Sequence, residues 1–325
     1  MVTGIALSRN CIFKTTNELS IMEREQFREL FSCVFGKEMS PCEFERKYVC
    51  TPLGYSYHGF MFSEGQLVGT YNIIPYWYDY FGARMLFGLS TDTMVAREHR
   101  GGPFNLIKMA HLVYEGLRRD KICFVFGFPN NNAYQFTKCI LKWNDIGELD
   151  FYAFPINISA LWPGLSWANS IARLFAGSLT WIRGVRREVR ANFDIQKVGD
   201  KSFEEHRYND RYEVMDLSGG GRCIYRIYTE EDGVRTLYII DIVPLTSEGF
   251  LGAMRKVRAI AGKQADLILY VGKLPFYPAG LIRIPRSKQP RRIMMCGKVL
   301  DPQVVDERVL RIENWNVNVS NFDVR

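Results

Sequence analysis

The sequence predicts an α/β protein built on mixed sheets, and three observations favour this class. The chain has 325 residues, about twice the usual size of one domain. Segments with the alternation of strands are interspersed along it with amphipathic segments of helical period. The longest apolar runs, 236–245 and 267–272, fall well below the roughly 18 residues that a membrane-spanning helix needs. We therefore expect two globular α/β domains without membrane insertion.

Composition narrows the functional classes. Lys and Arg exceed Asp and Glu by seven, which suits a polyanionic small ligand such as a coenzyme and is weak for a nucleic-acid binder. Eight cysteines form no C-x-x-C pair, and only four histidines accompany them, so neither a metal site nor a disulfide framework is expected. The start carries no basic stretch followed by an apolar core, which argues against a secretory signal. A cytoplasmic protein with reduced thiols is the expectation.

Residues 1–155 are predicted as the first domain. A strand over 11–16 precedes a helix over Ile21–Phe35, which Ser20 caps and Gly36 ends. A short helix is expected near 41–49. The β-rich runs that follow are separated by tight turns and cover 57–62, 66–75, 77–80 and 85–95. The glycine-bearing loop REHRGGP then leads into further elements, namely a helix over Phe104–Arg119, a strand over 122–128, a helix over 132–141 and a strand over 146–154.

The rest of the chain is predicted as a connector and a second domain. Residues 156–205 read as a helical connector, because an aromatic-rich stretch has helical spacing from 167 to 182. Residues 206–325 are expected to form a second, smaller α/β domain that contributes to the substrate site. Three strands, a helix over 247–264 and further strands repeat the coarse order of the first half, which is the pattern of a degenerate copy.

The loop before the long helix carries the first candidate site. A strand runs directly into His99, Arg100, Gly101 and Gly102, and the loop opens a helix. Glycines let several N–H groups converge, and the first helical turn adds unpaired donors, so the segment can seat a pyrophosphate beside the charge of Arg100. An ordinary strand-to-helix turn explains the same residues. The motif matches neither G-x-x-x-x-G-K-[ST] nor G-x-G-x-x-G, which excludes a P-loop or Rossmann site.

A second candidate segment is GFPNNNAYQFTK, at 127–138. It combines a strand end, a turn and a helix start. Its three successive asparagines offer amides to a ligand, although helix capping alone accounts for one or two of them.

Taken together, these segments resemble a known superfamily. VAREHRGGPF, the helix after it, FVFGFPNNNAYQFTK and KWNDIG are similar to the GCN5-related N-acetyltransferases (GNAT), and more narrowly to their two-domain branch from bacterial surface-polysaccharide clusters. The resemblance covers residues 10–155. It implies an acyl-CoA-dependent N-acyltransferase with a GNAT-like first domain, acting on the amine of a dTDP-linked amino sugar, with 3-hydroxybutanoyl-CoA as a candidate donor.

The resemblance also implies roles for individual residues. The acyl-CoA pyrophosphate loop falls on Arg100, Gly101, Gly102, Pro103, Phe104 and Asn105. The backbone of Thr93, Met94 and Val95 would pair with the pantetheine arm, and Asn130 would face the coenzyme.

Two departures from the family pattern affect this assignment. The family loop has the form [RQ]-x-x-G-x-[GA]. A register that starts at Arg100 puts Pro103 and Asn105 at the small positions, whereas one that starts at His99 keeps Gly102 and loses the arginine. The family tyrosine that protonates the departing thiolate falls on Thr137, and Tyr134, one turn earlier, is the nearest substitute.

Acyl transfer also needs a proton acceptor for the attacking amine. Asp92, at the end of the strand, and His99 are the candidates, each acting directly or through water. A turn or bulge acceptor is an equal interpretation of Asp92. Backbone N–H groups near Met94 or Val95 would polarise the thioester oxygen.

Three alternatives remain open at this stage. A GNAT enzyme could act on another amine, such as an antibiotic or a polyamine. A noncatalytic acyl-CoA-binding protein could keep the fold without the chemistry. A peptidoglycan-type aminoacyl transferase has twin domains of this topology, but it would need aminoacyl-tRNA, which the weak positive charge disfavours.

Overall fold

A computed structural model describes residues 9–100, 102–157, 193–278 and 280–322. Most of the predicted helical connector, 158–192, lies outside the described residues. The strands are β1 (Arg9–Thr15), β2 (Tyr57–Ser63), β3 (Gln66–Tyr80), β4 (Ala83–Val95), β5 (Phe124–Gly127), β6 (Asn144–Glu148), β7 (Asp150–Pro155), β8 (Ile195–Lys197), β9 (Glu213–Asp216), β10 (Arg222–Thr229), β11 (Arg235–Val243), β12 (Leu267–Gly272), β13 (Ile282–Arg283), β14 (Met294–Val299) and β15 (Trp315–Asn316). The helices are α1 (Ile21–Phe35), α2 (Pro41–Phe44), α3 (Phe104–Arg119), α4 (Asn131–Cys139), α5 (Lys201–Arg207) and α6 (Ser247–Gln264).

The chain forms two compact units that are discontinuous in sequence. Unit 1 comprises 1–147, 197–206 and 293–312, and unit 2 comprises 148–196, 207–292 and 313–325. The boundaries expected from the sequence, at 155 and 205, stay a prediction. Among the described residues, no helix combines the length and the hydropathy that crossing a bilayer takes.

Unit 1 is organised around a mixed sheet with the order β1-β2-β3-β4-β5-β14-β6. The strands β1 to β4 form an antiparallel meander. β4 and β5 pair in parallel, and α3 connects them. This is the strand–loop–helix–strand crossover that the sequence predicts, and it places the loop 96–103 at the end of β4.

Three strand assignments differ from the sequence-based expectation. β3 is one strand that continues through Pro75, where two runs were expected. The single closing strand near 146–154 is in fact two strands, β6 and β7, which belong to different sheets. β14, from the C-terminal part of the chain, pairs antiparallel with β5. Apolar alternation continues across these positions without a turn signal, so the pattern could not reveal a change of sheet.

The core of unit 1 is aromatic where α1 and α2 meet the sheet. Phe27 of α1 contacts the rings of Phe44, Tyr48, His58 and Phe60, all of which are buried. The helix α1 begins at a capping box in which Ser20 and Glu23 bond each other's backbone amides, and it ends at a left-handed Gly36, as the sequence predicts. Packing of α1 and α2 therefore brings residues 44–48 against the sheet.

Unit 2 has a second mixed sheet with the order β13-β7-β12-β11-β10-β9. Its antiparallel strands β9, β10 and β11 lead through α6 into β12, which pairs with β11 in parallel. The order β9-β10-β11-α6-β12 repeats β2-β3-β4-α3-β5 of unit 1. The expected α/β fold with a second unit of repeated topology is thereby confirmed.

Helical glycines provide a matched test of the packing of unit 1. A Cβ on Gly116 of α3 would lie 2.4 Å from the ring of Phe13, whereas a Cβ on Gly252 of α6 meets nothing within 4 Å. We expect Gly116→Ala to lower the free energy of unfolding by about 1–3 kcal/mol through overpacking. Gly252→Ala should raise it by about 0.5–1 kcal/mol through helix propensity. Urea unfolding of both variants measures this, and equal effects of the two would contradict the described contact.

Candidate active site

The candidate site begins at the point along β4 where its pairing with β5 ends. Their parallel pairing runs from Phe87 opposite Phe124 to Ser90 opposite Gly127, where β5 ends. β4 continues through Val95 and pairs on its other edge with β3. In the described part of the chain no strand pairs with the β5-side edge of residues 91–95, which we call the bulged segment. Such an edge presents backbone donors and acceptors to an extended ligand.

A β-bulge interrupts this segment. Thr70 pairs with Met94 and Asn72 pairs with Thr91, so Asp92 and Thr93 together face only Tyr71. Asp92 adopts a φ of 43°, in the left-handed region that side-chain-bearing residues rarely occupy. The bulge is therefore a strained position that the surrounding contacts must hold.

Two side chains from the segment after α2 hold the Asp92 carboxylate. The Tyr48 hydroxyl donates to Oδ2 at 2.6 Å, and Lys47 Nζ lies 2.7 Å from the same oxygen. The Asp92 side chain is only 8% exposed. Tyr48 and Lys47 were not among the residues expected from the sequence, because nothing in their spacing connects them to position 92.

The Asp92 carbonyl is held from the opposite direction by buried polar residues. Asn72 Nδ2 donates to it at 2.9 Å. Because a carbonyl can only accept, the other amide atom, Asn72 Oδ1, must be the acceptor for its neighbours. These neighbours are Thr70 Oγ1 at 2.5 Å and His58 Nδ1 at 2.8 Å. His58 Nδ1 therefore carries the proton.

The chain of hydrogen bonds continues on the other side of the His58 ring. His58 Nε2 lies 2.9 Å from Thr16 Oγ1 and 3.0 Å from Ser56 Oγ, and it accepts a proton there because the ring is neutral. Both hydroxyls also lie 2.9 Å from the Tyr48 carbonyl oxygen. Because each hydroxyl has one proton, one of them donates to Nε2 and the other donates to this carbonyl. The network returns in this way to the residue whose hydroxyl binds Asp92. We call the closed set Thr16, Tyr48, Ser56, His58, Asn72 and Asp92 the polar ring.

Burial keeps the histidine of the polar ring uncharged. His58 is fully buried, and desolvation of its charged form lowers its pKa to about 4, against the effect of its hydrogen bond to Asn72, which raises the pKa. The signal for this network is present in the sequence as Ser56 and His58, which flank the first residue of β2, and as Thr70 and Asn72 on β3. Each pair is spaced by two residues and so points to one face of an otherwise apolar strand.

The loop that follows β4 is partly closed on itself. The Gly102 amide donates to the Arg100 carbonyl at 2.8 Å, and Gly102 has a φ of 115°. The Arg100 side chain donates from Nε to the Val95 carbonyl at 2.9 Å. Gly101 lies outside the described residues. Hydrogen bonds within the protein thus use part of the capacity of the loop that the resemblance implies for a pyrophosphate.

The start of α3 leaves donors at the end of this loop. Pro103 is the N-cap residue and provides no capping side chain, and it has no amide proton of its own. The first-turn amides of Phe104 and Asn105 have no acceptor within the helix, and the helix dipole is positive there. The Phe104 side chain is exposed.

His99 ends a 3-10 turn between the strand and this loop. Its Nδ1 is buried and has no hydrogen-bond partner among the described residues. The residue lies seven positions beyond Asp92, at the loop end of the bulged segment.

The segment after β5 contains the remaining candidates. Asn130 is the N-cap of α4, and its side chain accepts from the Ala133 amide at 2.9 Å, which is the capping role. The Tyr134 hydroxyl donates to Asp145 at 2.8 Å, and Lys138 contacts both residues. The hydrogen bond to Asp145 raises the pKa of Tyr134, so this phenol stays protonated. No cluster of three or more potential metal-ligating side chains occurs in the described part of the chain.

The chain is similar to known proteins in both its sequence and its fold. The profile of the acetyltransferase (GNAT) domain matches residues 16–138. Residues 16–138 are therefore similar to GNAT acetyltransferase domains. The GNAT domain supports an acyl-CoA-dependent N-acyltransferase, as the sequence predicts, with acyl-CoA as the donor. No curated protein sequence matches the chain significantly.

Solved structures resemble the chain over most of its length. A probable N-acyltransferase from Enterococcus faecalis is 14% identical with a TM-score of 0.56, over 90% of this chain and 73% of that one. A GCN5-related N-acetyltransferase from Kribbella flavida is 13% identical with a TM-score of 0.58, over 90% and 72%. Saccharomyces cerevisiae N-myristoyltransferase with bound myristoyl-CoA is 10% identical with a TM-score of 0.50, over 88% and 82%. At these identities the likeness concerns the fold.

The buried histidine of the GNAT domain predicts a pH dependence of stability. Below about pH 6.5 the unfolded chain protonates His58, whereas the folded protein does not until about pH 4. Stability should therefore fall as the pH falls through this window. Between pH 6.5 and 4.5 the wild-type protein should lose about 2 kcal/mol more free energy of unfolding than His58→Gln. Urea titrations at both pH values measure the difference, and equal losses would contradict a neutral buried His58.

Proposed function

We propose that the protein transfers an acyl group from acyl-CoA to the amine of a nucleotide-linked amino sugar, with the bulged segment of β4 as the centre of the site. The observation that carries this proposal is the edge of β4 beyond Ser90, with which no described strand pairs on the side of β5 and which leads directly into the loop and the first turn of α3. An extended pantetheine arm fits the strand edge, and a diphosphate fits the helix start. This order of features matches the order of groups along coenzyme A.

The coenzyme is proposed to bind in two parts. Thr93, Met94 and Val95 pair their backbone with the amides of the pantetheine arm. The pyrophosphate binds to the first-turn amides of Phe104 and Asn105, with Gly101 and Gly102 of the loop. Because the Gly102 amide donates to the Arg100 carbonyl without ligand, binding exchanges this neutral hydrogen bond for a stronger one to a charged oxygen.

The side chains around this path have proposed roles as well. Arg100 turns its guanidinium from the Val95 carbonyl to the phosphates. His99 lies beside Arg100 at the phosphate end of the path, far along the strand from the thioester. Asn130 keeps its capping bond and presents its remaining amide hydrogens to the coenzyme.

The chemical step is proposed as direct attack of the amine nitrogen on the thioester carbon. The C–N bond forms, the C–S bond breaks, and backbone N–H groups near Met94 or Val95 stabilise the oxyanion. Asp92, at the bulge, accepts the amine proton directly or through one water molecule. The departing thiolate takes the proton of Tyr134, whose pKa is raised by Asp145 and which is therefore protonated at neutral pH.

A basic surface of unit 2 supports a polyanionic acceptor. Four cationic side chains surround two buried carboxylates there, so positive charge remains in excess, and Tyr277, which lies between Lys273 and Arg283 in sequence, is 68% exposed. A nucleoside diphosphate combines the charge and the aromatic base that such a surface can bind. The ion pairs are Lys273 and Arg283 with Asp150, and Arg286 and Arg292 with Glu148.

The free state of the cysteines is typical of a protein in a reducing compartment. All eight are free thiols, and four of them are exposed. We propose a cytoplasmic protein on this basis, in keeping with nucleotide-sugar substrates.

The deciding experiment is a thiol-release assay with several acyl-CoAs, including 3-hydroxybutanoyl-CoA, against a panel of dTDP- and UDP-amino sugars. We expect release that depends on an amino sugar. Release only with an antibiotic or a polyamine would replace the acceptor class. Binding of acyl-CoA by calorimetry without release with any amine would support a noncatalytic acyl-CoA-binding protein and overturn the enzymatic proposal.

Arg100 tests the phosphate end of the site. Arg100→Ala should raise the KM for acyl-CoA by about tenfold, the effect of one charge-assisted hydrogen bond, with little change in kcat. Arg97→Ala, in the same turn and also exposed, is the matched control and should leave KM unchanged. Equal KM values for the two variants would contradict a phosphate contact of Arg100.

Asp92 tests the reacting end. Asp92→Asn keeps the size of the side chain and removes its basicity, so kcat should fall by about a hundredfold or more. Asp79→Asn, on the same sheet and away from the bulge, is the control and should be as active as the wild type. Steady-state rates between pH 6 and 9 measure the effect. An unchanged kcat across this range would show that Asp92 is not the base.

A further inference from the structure

We propose that the polar ring positions the reacting part of the GNAT site, and that Tyr48, His58 and Asn72 are positioning residues for acyl transfer. The inference rests on the proposed function and deepens it, because these three side chains are buried and touch no substrate. They act through Asp92 and the strand amides next to it. None of them was a candidate from the sequence.

The first observation in favour of this role is the unfavourable free energy of burying the polar ring. Thr16, Ser56, His58 and Asn72 are essentially inaccessible to solvent, between an aromatic cluster and the sheet. Removing polar side chains from water is unfavourable unless every donor and acceptor is bonded, and an apolar cluster of equal volume would be as stable or more stable. A network of this kind needs a reason other than packing.

The second support is where the ring ends. The polar ring binds Asp92 at two places. Asn72 donates a hydrogen bond to its carbonyl, and Tyr48 donates one to its carboxylate. Asp92 is the residue with the left-handed backbone in the bulge. Restraining one residue at both its main chain and its side chain fixes the direction of its carboxylate and of the following Thr93 and Met94 amides. These are the groups that acyl transfer needs in a defined geometry.

The third support is the recurrence of the same arrangement in unit 2. There the pairing of β11 with β12 ends at Ile239 opposite Tyr270, and a bulge follows at Ile240. Asp241 lies two residues beyond the last pair, as Asp92 lies two residues beyond Ser90. The Tyr208 hydroxyl donates to Asp241 Oδ2 at 2.8 Å, as Tyr48 does to Asp92.

A tyrosine–aspartate contact thus lies at or next to a bulge in both units, although Asp241 itself pairs with Ile224 and Asp92 belongs to the bulge. Each tyrosine precedes the first strand of its three-stranded meander, and each aspartate lies in the third strand. In unit 2 the Asp241 carboxylate also binds side chains of the C-terminal segment, Asn318 at 2.8 Å and Ser320 at 3.3 Å. The tyrosine–aspartate contact is therefore present in both units, although the other partners of the aspartate differ. This is expected of a contact that fixes the backbone near the bulge.

Tyr48→Phe is the sharpest test, because it removes one hydroxyl and keeps the aromatic packing. The chain provides a matched control in Tyr57, which is equally buried and whose hydroxyl donates to the Asp120 carboxylate at 2.7 Å. Both variants lose one hydrogen bond from a buried tyrosine to a carboxylate. A merely structural role predicts the same outcome for both.

We expect Tyr48→Phe to lower kcat by at least about tenfold, which is the lower range for a lost hydrogen bond to a charged group. Its Kd for acyl-CoA should stay within about twofold of the wild type, because the edge of residues 93–95 remains. Amide hydrogen exchange of residues 92–95 should become faster. Tyr57→Phe should lower Tm similarly and leave kcat and this exchange unchanged.

Asn72→Ser gives a second, independent arm. Its side chain is too short to reach the Asp92 carbonyl and keeps a polar group toward Thr70 and His58. It should show the same fall in kcat with an unchanged Kd for acyl-CoA.

The outcomes separate the inference from the function on which it rests. If the wild-type protein releases no thiol with any amine, the proposed function is wrong. If it does, and Tyr48→Phe and Asn72→Ser turn over as fast as Tyr57→Phe with equal exchange at 92–95, the inference is wrong and the function stands. A lowered kcat with faster local exchange in both variants, but not in Tyr57→Phe, establishes the positioning role.

Discussion

The unequal length of two paired strands is the constraint on which this site depends. β4 has thirteen residues and its parallel neighbour β5 has four, so their ladder ends at Ser90. Backbone groups at such an edge need partners, from water, from the chain or from a ligand. In unit 2 the equivalent place is next to Gly272, which forms an antiparallel bridge with Asn318 of the same chain. The C-terminal segment thus lies at this place in unit 2, whereas no described strand pairs with the corresponding edge of β4 in unit 1.

The loop at the end of β4 adds a second constraint, on how a coenzyme enters. Without ligand, the Gly102 amide and the Arg100 side chain are bonded to the protein's own carbonyls. Both carbonyls are neutral acceptors, so each of these hydrogen bonds is weaker than one to a charged phosphate oxygen. In the proposed site, a phosphate oxygen would replace these carbonyls as the acceptor.

Much of the fold could be predicted from the sequence, because local signals carried it. The capping box at Ser20, Gly36 after α1, and the amphipathic stripe of α3 each act within a few residues. The loop with Arg100 and Gly102 was found in the same way. A bulge acceptor was one of two interpretations of Asp92, and the sequence could not decide between them, since the bulge depends on the register between β3 and β4.

Neither the side chains that bind Asp92 nor the pairing of β14 could be predicted from the sequence, for the same reason. Tyr48 precedes Asp92 by 44 residues, and β14 joins β5 from the far end of the chain. Such contacts are set by tertiary packing. The alternation of Ser56 with His58 and of Thr70 with Asn72 was a visible signal, but an inward-facing polar row is distinguishable from an exposed face only once the covering helix is known.

The central claim is that the edge of β4 beyond Ser90 receives the coenzyme, and a crystal structure of the protein with an unreactive acyl-CoA analogue tests it most directly. The account predicts hydrogen bonds between the pantetheine amides and the backbone of residues 93–95, with the diphosphate at the start of α3. A coenzyme bound elsewhere, with this edge still solvated, would contradict it.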